Sequence, residues 1–339
     1  MCARVAAVAL CACIALHAAS VSASSVPTLD ELMAEFAFGK DDVTRVRNGE
    51  LLQTSTKETS DRELAVVMVF LVKAPVQKLI AALRAGPSSR NDPQVQSVTE
   101  IKGDGALDDL KAVVLQPGGG KEAQLYLDAT PGDSLNLAAP EIAAFAALKS
   151  AGGAEQPRAR VEESLRKILL ARYQAYRSQG LAGIAPYARG RDTQSRPADD
   201  LRRATEAAKG LKRYTPAFYD VLMDYPRGTP PGLTQQFFCI RYAMDGRPNF
   251  ALRQRLVMPL EDAYVVADRD FYVSSGYNDM QAVAGLLPVA DGTVVVYVAR
   301  TTTDQLGGFG ASAKQAIGRR MMAKQISAIY EKFRTAIVH

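Results

Sequence analysis

Histidine and cysteine are scarce in this chain of 339 residues, which contains 2 His and 4 Cys. Three of the cysteines and one histidine lie within the first 17 residues. If that end is removed as an export signal, only Cys239 and His339 remain. A lone cysteine excludes an internal disulfide, and the two residues exclude a Cys/His zinc site and, unless the terminal histidine folds back, a catalytic triad. We therefore expect no metal and no cofactor.

Charge is nearly absent from the N-terminal end, where Arg4 is the only charged residue among the first two dozen. Residues 5–16 are apolar, and Val21-Ser22-Ala23 matches the small-residue positions that a signal peptidase reads. The apolar run is shorter than the about 20 residues of a spanning helix. We predict a signal peptide over residues 1–23, cut after its last residue, and a periplasmic or secreted protein. A lipoprotein signal at Cys11 is the alternative.

The whole chain has 41 Lys and Arg against 36 Asp and Glu, a formal net charge of +5. The surplus is concentrated from Arg158 to Arg213, where 14 basic residues meet 6 acidic ones. In an exported protein such a segment could face an anionic membrane surface, or it could form solvated helix faces. No nucleic-acid motif accompanies the charge, so nucleic acid is not an expected partner.

The last third of the chain is rich in β-branched and aromatic residues. Five such runs, each bounded by a polar or Gly/Pro turn, predict strands at residues 237–244, 250–258, 263–274, 279–289 and 293–303. A long helix should then run to residue 337, with an apolar side. The predicted fold class is α+β, an antiparallel β-meander gripped by a long C-terminal helix, with a helical insertion.

Upstream of the meander, the apolar run at residues 64–72 predicts a strand buried on both faces. Short strands are expected at residues 50–56, 94–102 and 124–127, and helices at 76–86, 157–179, 200–212 and 216–225. This pattern divides the mature chain into three parts. They are an N-terminal α/β portion of the core (24–150), a helical insertion or lid (151–232) and the meander with its helix (233–339).

A strand that runs into Ala74-Pro75 and then a helix resembles the opening of the START and polyketide-cyclase superfamily, also called helix-grip. The end of the chain is similar too, with a last strand, the Gly307-Gly308-Phe309-Gly310 turn and a long helix. The resemblance covers residues 62–83 and 235–337 and leaves the long insertion outside it. It implies a cavity between sheet and helix that holds a lipid or another hydrophobic ligand.

This resemblance predicts an exported, cofactor-free binding or carrier protein for a lipid-like molecule. Alternation along the strands and the apolar side of the last helix supply the candidate ligand contacts, which could equally fill an ordinary core. The candidates are Phe238, Ile240, Tyr242, Met244, Phe250, Leu252, Tyr272, Tyr297, Ile317 and Met321.

Two other functions stay open at this point. Asp268 and Asp270 share one face of a predicted strand and could act as the acid–base pair of a cyclase or isomerase. Alternatively they lie on a solvent face and pair with cross-strand neighbours such as Arg253 or Arg255. A buried pair would favour the enzyme, and an outward-facing pair would oppose it. The third candidate is a cell-envelope assembly or interaction protein without a small ligand.

Overall fold

The structure is a computed structural model. It describes residues 26–86, 92, 94–115, 120–132, 134–151, 157–244, 247–307 and 310–338. The predicted signal peptide lies outside these residues. Within them, no helix is both long enough and apolar enough to cross a membrane.

The predicted meander forms the centre of an eight-stranded antiparallel sheet. Its strands follow the order β1-β2-β10-β9-β8-β7-β6-β3, and β4 pairs with β5 in a separate hairpin. The strands are β1 (Leu52–Ser55), β2 (Glu63–Val72), β3 (Val95–Ile101), β4 (Tyr187–Ala188), β5 (Gln194–Ser195), β6 (Thr234–Met244), β7 (Arg247–Leu260), β8 (Ala263–Val273), β9 (Asp279–Val289) and β10 (Gly292–Thr302).

Helices cover both faces of the sheet, and the predicted α+β class with a long C-terminal helix is confirmed. The α-helices of the described residues are α1 (Leu29–Glu35), α2 (Lys40–Arg47), α3 (Val76–Ala85), α4 (Gly120–Leu127), α5 (Ala139–Ser150), α6 (Pro157–Gln179), α7 (Pro197–Glu206), α8 (Lys209–Tyr214), α9 (Pro216–Asp224) and α10 (Ala311–Val338).

Two predicted elements differ from the structure. Residues 124–127 are the end of helix α4, because Ala123 and Tyr126, three positions apart, both turn into the core. A run of four residues was too short for its periodicity to separate strand from helix. The single helix predicted over 200–212 is divided into α7 and α8, with Ala208 at φ −81° and ψ 65°, outside the helical region.

Strand β2 shows how the two faces of the sheet are used. All ten of its residues are buried, which confirms the prediction of a strand covered on both sides. Val66, Met68 and Phe70 face α3 and α10, whereas Val69 and Leu71 face α1 and α2. Alternate side chains of this one strand therefore belong to two separate apolar layers, one on each face of the sheet.

On the face away from α10, helix α6 lies over β6, β7 and β8. Its side chains and those of α4 and α5 pack with the sheet in one cluster, named here the α6 core, which includes Tyr126, Phe145, Tyr176, Phe237 and Phe271. Helices before and after residue 150 thus share this core. The division of the chain at that residue stays a prediction.

Candidate functional site

Helix α10 is fixed to the sheet along strand β2. The rings of Phe70 and Tyr330 have centroids 3.8 Å apart, and the Tyr330 hydroxyl donates to the carbonyl oxygen of Leu71 at 3.0 Å. A Cβ atom at Gly318 would lie 3.0 Å from two methyl groups of Leu64. Helix and strand are therefore in direct contact at these points.

Beside these contacts, a cleft of about 510 Å³ remains between α10, α3 and strands β2 and β7 to β10. We name it the α10 cleft. Beneath it, Ala282 and Ala284 of β9 have side chains too short to reach the helix, which leaves the space open. Its apolar lining includes Phe70, Leu79, Leu83, Leu286, Val295, Met322, Ile326, Ile329 and Phe333.

Two arginine–aspartate pairs form the polar wall of this cleft, on strands β7 and β8. The guanidinium of Arg253 donates to both carboxylate oxygens of Asp270, at 2.6 and 2.9 Å. Arg255 binds Asp268 in the same two-pronged manner, at 2.7 and 2.5 Å. Nη1 of Arg253 lies 3.8 Å from Asp268 Oδ2, which links the two pairs. The exposed fraction is 13% for the Asp268 side chain and at most 7% for the other three.

Neighbouring groups hold the two pairs in position. Arg253 Nη2 donates to the Tyr242 hydroxyl at 3.1 Å, and the Tyr277 hydroxyl donates to Asp270 Oδ2 at 2.8 Å. Arg255 Nη1 donates at 2.9 Å to the carbonyl oxygens of Leu83 and Gly86, at the end of α3. Helix ends leave such carbonyls without intrahelical partners, so Arg255 also closes α3.

Electrostatic interactions shift the pKa values of Asp268, Arg253 and Tyr277. Burial alone would raise the pKa of Asp268, but the charges of Arg255 and Arg253 outweigh it and hold that pKa below its usual range. Burial alone would lower the pKa of Arg253, but Asp270 outweighs it, and the pKa lies well above the usual value. Desolvation and Asp270 raise the pKa of Tyr277. Each guanidinium is paired with one carboxylate, so the formal charges of the cluster balance.

The aspartate pair bears on the enzyme alternative. Asp268 lines the cleft and Asp270 is fully buried, so a solvent-facing position is wrong, while the cross-strand partners Arg253 and Arg255 are confirmed. Burial satisfies the condition that favoured an acid–base pair. However, both oxygens of each carboxylate accept from a guanidinium, which makes the two residues counter-ions of the arginines.

Three of the ten candidate ligand residues line the cleft. These are Tyr242 on β6, Tyr297 on β10 and Met321 on α10. Phe238 and Ile240 share the face of Tyr242 but pack beside the cleft, in a cluster with Val95, Val98 and Tyr277. Contact of any of them with a ligand stays a prediction.

The other candidates lie elsewhere. Phe250, Leu252 and Tyr272 point to the opposite face, into the α6 core. Ile317 is 63% exposed on α10, and the side chain of Met244 lies outside the described part of the chain. Alternation grouped the strand residues by face, but both faces are apolar, so the pattern did not show which one borders the cleft.

The residues that sequence reasoning left out of the site are Arg253 and Arg255. The sequence places both only as cross-strand partners of the aspartates on a solvent face. A usable signal was present, since β7 carries these two arginines at alternate positions, opposite two aspartates at alternate positions of β8. Opposite charges at alternate positions of two paired strands indicate a polar cluster on one face.

The basic segment from Arg158 to Arg213 is largely involved in ion pairs within the chain. Counting only carboxylates in the described part of the chain, at least eight of its 14 basic side chains lie within 4.0 Å of one, namely Arg158, Arg166, Lys167, Arg172, Arg177, Arg189, Arg203 and Arg213. These pairs favour the structural interpretation of the charge. Contact with an anionic membrane surface stays a prediction.

A metal site has no support in the described ranges, where no three His, Cys, Asp or Glu residues are grouped so as to hold an ion. Cys239 is buried as a free thiol, and burial raises its pKa to about 12. This thiol is therefore protonated and unreactive at neutral pH.

Comparisons with known proteins add little to this geometry. No family model and no curated protein matches the chain. Among solved structures, it is similar to the crystal structure of Ara h 8.0201 at 12% sequence identity. That similarity covers 33% of this chain and 71% of the other, with a TM-score of 0.22. The interpretation of the cleft therefore rests on its own residues.

Proposed function

We propose that this protein is an exported, cofactor-free binding or carrier protein for an apolar molecule with a neutral polar end. The observation that carries the proposal is the α10 cleft, an apolar space that ends on a charge-balanced Arg–Asp cluster. Its volume of about 510 Å³ falls within the range of about 300–1,000 Å³ common for small-molecule sites. The resemblance to helix-grip proteins in residues 62–83 and 235–337 supports the same function.

The walls of the cleft suit a lipid-like body. Met321 and Met322 adapt their shape readily because the methionine side chain is unbranched. Beside them, Ile326, Ile329 and Phe333 continue the apolar surface along α10. Burial of apolar ligand surface contributes about 25 cal/mol per Å², which is the main attraction that such walls can offer.

The polar wall selects the head group by charge. Each arginine is already neutralised by an aspartate, so a ligand carboxylate would bring an uncompensated charge next to Asp268, which is costly in an apolar site. A hydroxyl or carbonyl oxygen brings no charge. Arg253 Nη1, beyond hydrogen-bond distance of Asp268 at 3.8 Å, can donate to such an oxygen.

Export is part of the proposal. The N-terminal pattern supports a signal peptide cut after Ala23 and a periplasmic or secreted location. N-terminal sequencing of the protein from fractionated cells tests this directly. A mature chain that begins at Ser24 in the exported fraction is expected, and an intact N-terminus in the cytoplasmic fraction would contradict export.

Ligand binding is tested with a matched pair of probes, 1-decanol and decanoate, by titration calorimetry. We expect 1-decanol to bind about tenfold more tightly than decanoate, a difference of about 1.4 kcal/mol. Ala284→Leu, which places a larger side chain in the cleft, should abolish that binding. Ala171→Leu on the exposed side of α6 is the matched control and should leave it unchanged. Equal loss in both variants, or tighter binding of decanoate, would contradict the proposal.

A further inference from the structure

The middle of strand β9 is less buried than its position predicts. β9 is the fourth strand of eight, yet Val283, Ala284 and Gly285 are all only half-buried. Ala284 borders the α10 cleft, whereas Val283 and Gly285 point to the other face. A second cavity of about 630 Å³ lies there, between α1 on one side and α7 and α8 on the other. We name it the α1–α8 cavity.

The walls of the α1–α8 cavity are mostly apolar, with two acidic and two basic residues also in the lining (Glu35, Glu58, Lys57 and Lys209), and its helices carry short side chains. Ala204, Ala207, Ala208 and Gly210 line it from α7, α8 and the turn between them, so the helices cannot fill the space above the sheet. The apolar lining is completed by Leu32, Phe36, Leu211, Val265, Val283, Val296 and Val298.

Gly285 is the residue that most directly indicates a ligand. Glycine inside a strand weakens it and is usually explained by a bulge, a strained backbone angle or the close approach of another group. Gly285 is paired in register with Val265 and Val296, and its φ lies outside the left-handed region. A Cβ atom there would meet Leu287 at 3.6 Å and Leu32 at 3.7 Å, which is ordinary contact. The fold therefore accepts a side chain at this position, and its absence enlarges the cavity.

One end of the cavity is polar without excess charge. Arg300 and Gln281 are register partners on β10 and β9. The Arg300 guanidinium donates to Glu63 Oε2 at 2.9 Å and to the carbonyl oxygen of Lys57 at 3.1 Å, and both charged side chains are at most 7% exposed. An apolar floor that ends on a neutralised arginine repeats the chemistry of the α10 cleft on the opposite face.

We propose that the α1–α8 cavity is a second ligand site, which takes an apolar small molecule with one uncharged hydrogen-bonding group. Its body lies over Val283, Gly285, Val296 and Val298, and its polar group is directed to Gln281 and Arg300. The two sites are back to back on β9, with Ala284 facing one and Gly285 facing the other. This site does not depend on the function proposed for the α10 cleft.

The test uses the fact that the chain has no tryptophan. Tyr214→Trp places a single tryptophan on the α8 wall of the cavity, where Tyr214 is half-buried. The neutral naphthalene ketone prodan absorbs at the wavelength of tryptophan emission and quenches it when bound nearby. Addition of prodan should quench the Tyr214→Trp protein in a saturable manner.

Two neighbouring substitutions then separate the two sites. Gly285→Leu in the Tyr214→Trp background should weaken the saturable quenching by about tenfold or more, whereas Ala284→Leu, which fills the cleft on the other face, should weaken it clearly less. The proposal is overturned if prodan does not quench the Tyr214→Trp protein, or if Gly285→Leu and Ala284→Leu weaken quenching equally. Circular dichroism checks that each variant is folded. If Gly285→Leu does not fold, Val298→Phe fills the same cavity from β10 and must show the same loss.

Discussion

The α6 core and the α10 cleft lie on opposite faces of the same strands, yet one is filled and the other is open. In the α6 core, Tyr176 stacks on Phe271 with centroids 4.0 Å apart and meets Phe237 edge-on at 6.4 Å. In the α10 cleft, alanines on β9 face flexible methionines on one helix. Rigid aromatic packing on one face holds the sheet in shape, so the other face can stay open without loss of the fold.

The two regions also use buried charge differently. On the α6 side, Arg269 donates to the Gln281 amide oxygen at 2.6 Å and to the Thr205 hydroxyl at 3.2 Å, and these contacts join β8, β9 and α7. On the cleft side, Arg253 and Arg255 bind aspartates in a wall that a ligand can reach. The first network joins elements of the fold, whereas the second borders the cleft that we propose for recognition.

The largest effect should come from the filled face. Phe271→Ala removes a fully enclosed ring and should lower the free energy of unfolding by about 4 kcal/mol. Phe333→Ala removes the same ring from the half-buried wall of the cleft and should cost about 1 kcal/mol. Urea unfolding followed by circular dichroism measures both. Equal losses would show that the cleft is as important to the fold as the α6 core.

A slightly smaller loss is expected at the polar wall. Arg255→Met leaves Asp268 without its main partner and should cost about 3 kcal/mol, because an uncompensated carboxylate remains in an apolar site. The double variant R255M/D268N should recover most of this loss, though not the contacts to Leu83 and Gly86.

Arg334→Met is the matched control for Arg255→Met, since Arg334 forms an exposed pair with Glu331 on α10. It should change the free energy of unfolding by less than about 0.5 kcal/mol. A double variant as unstable as Arg255→Met would show that the carboxylate is not the source of the loss.

Acid should weaken the cleft wall in a defined pH window. Because the pKa of Asp268 is lower in the folded protein than in the unfolded chain, its contribution is complete above about pH 4, near the unfolded value. It is lost as the pH falls through the folded pKa. Below about pH 4, R255M/D268N should therefore lose less stability than the wild type as the pH falls. Urea unfolding at several pH values measures this, and identical slopes would contradict the assignment.

The smallest expected effect is a difference in ligand binding between substitutions at two residues of α10 that lie one turn apart. Met321→Gln should weaken 1-decanol binding about threefold, since Met321 lines the cleft. Ile317→Gln should leave binding unchanged, because Ile317 does not line the cleft, although its side chain is about as exposed as that of Met321. Neither variant should change stability by more than about 0.5 kcal/mol. Equal weakening by both would mean that the ligand extends over the outer surface of the helix.

Much of the fold was predictable because its signals are local. Runs of β-branched residues and Gly or Asp turns marked the five meander strands, and the unbroken apolar run of β2 indicated burial on both faces. The helical structure of residues 124–127 was not predictable, since it depends on contacts with α5 and α6, which follow later in the chain.

The site was predictable only in part, because a cleft forms where side chains of neighbouring elements leave space between them. Tyr242 and Tyr297 were found by alternation, but Phe250 and Tyr272 follow the same pattern on the filled face. The open space arises where α10 crosses β2 and passes over the short side chains of β9. The position of that crossing cannot be predicted from the periodicity of the sequence. The Arg–Asp partners follow from strand register, but their burial follows from the position of the helix.

The measurement that tests the central claim most directly is native mass spectrometry of the mature protein, purified gently from its own cells, followed by organic extraction and lipid analysis. We predict a reproducible adduct with the mass of a small lipid that disappears on extraction and proves to be uncharged. Ala284→Leu and Gly285→Leu, prepared in the same way, should each show less of it. A protein without adduct, which takes up no neutral lipid from a mixed extract, would contradict the account.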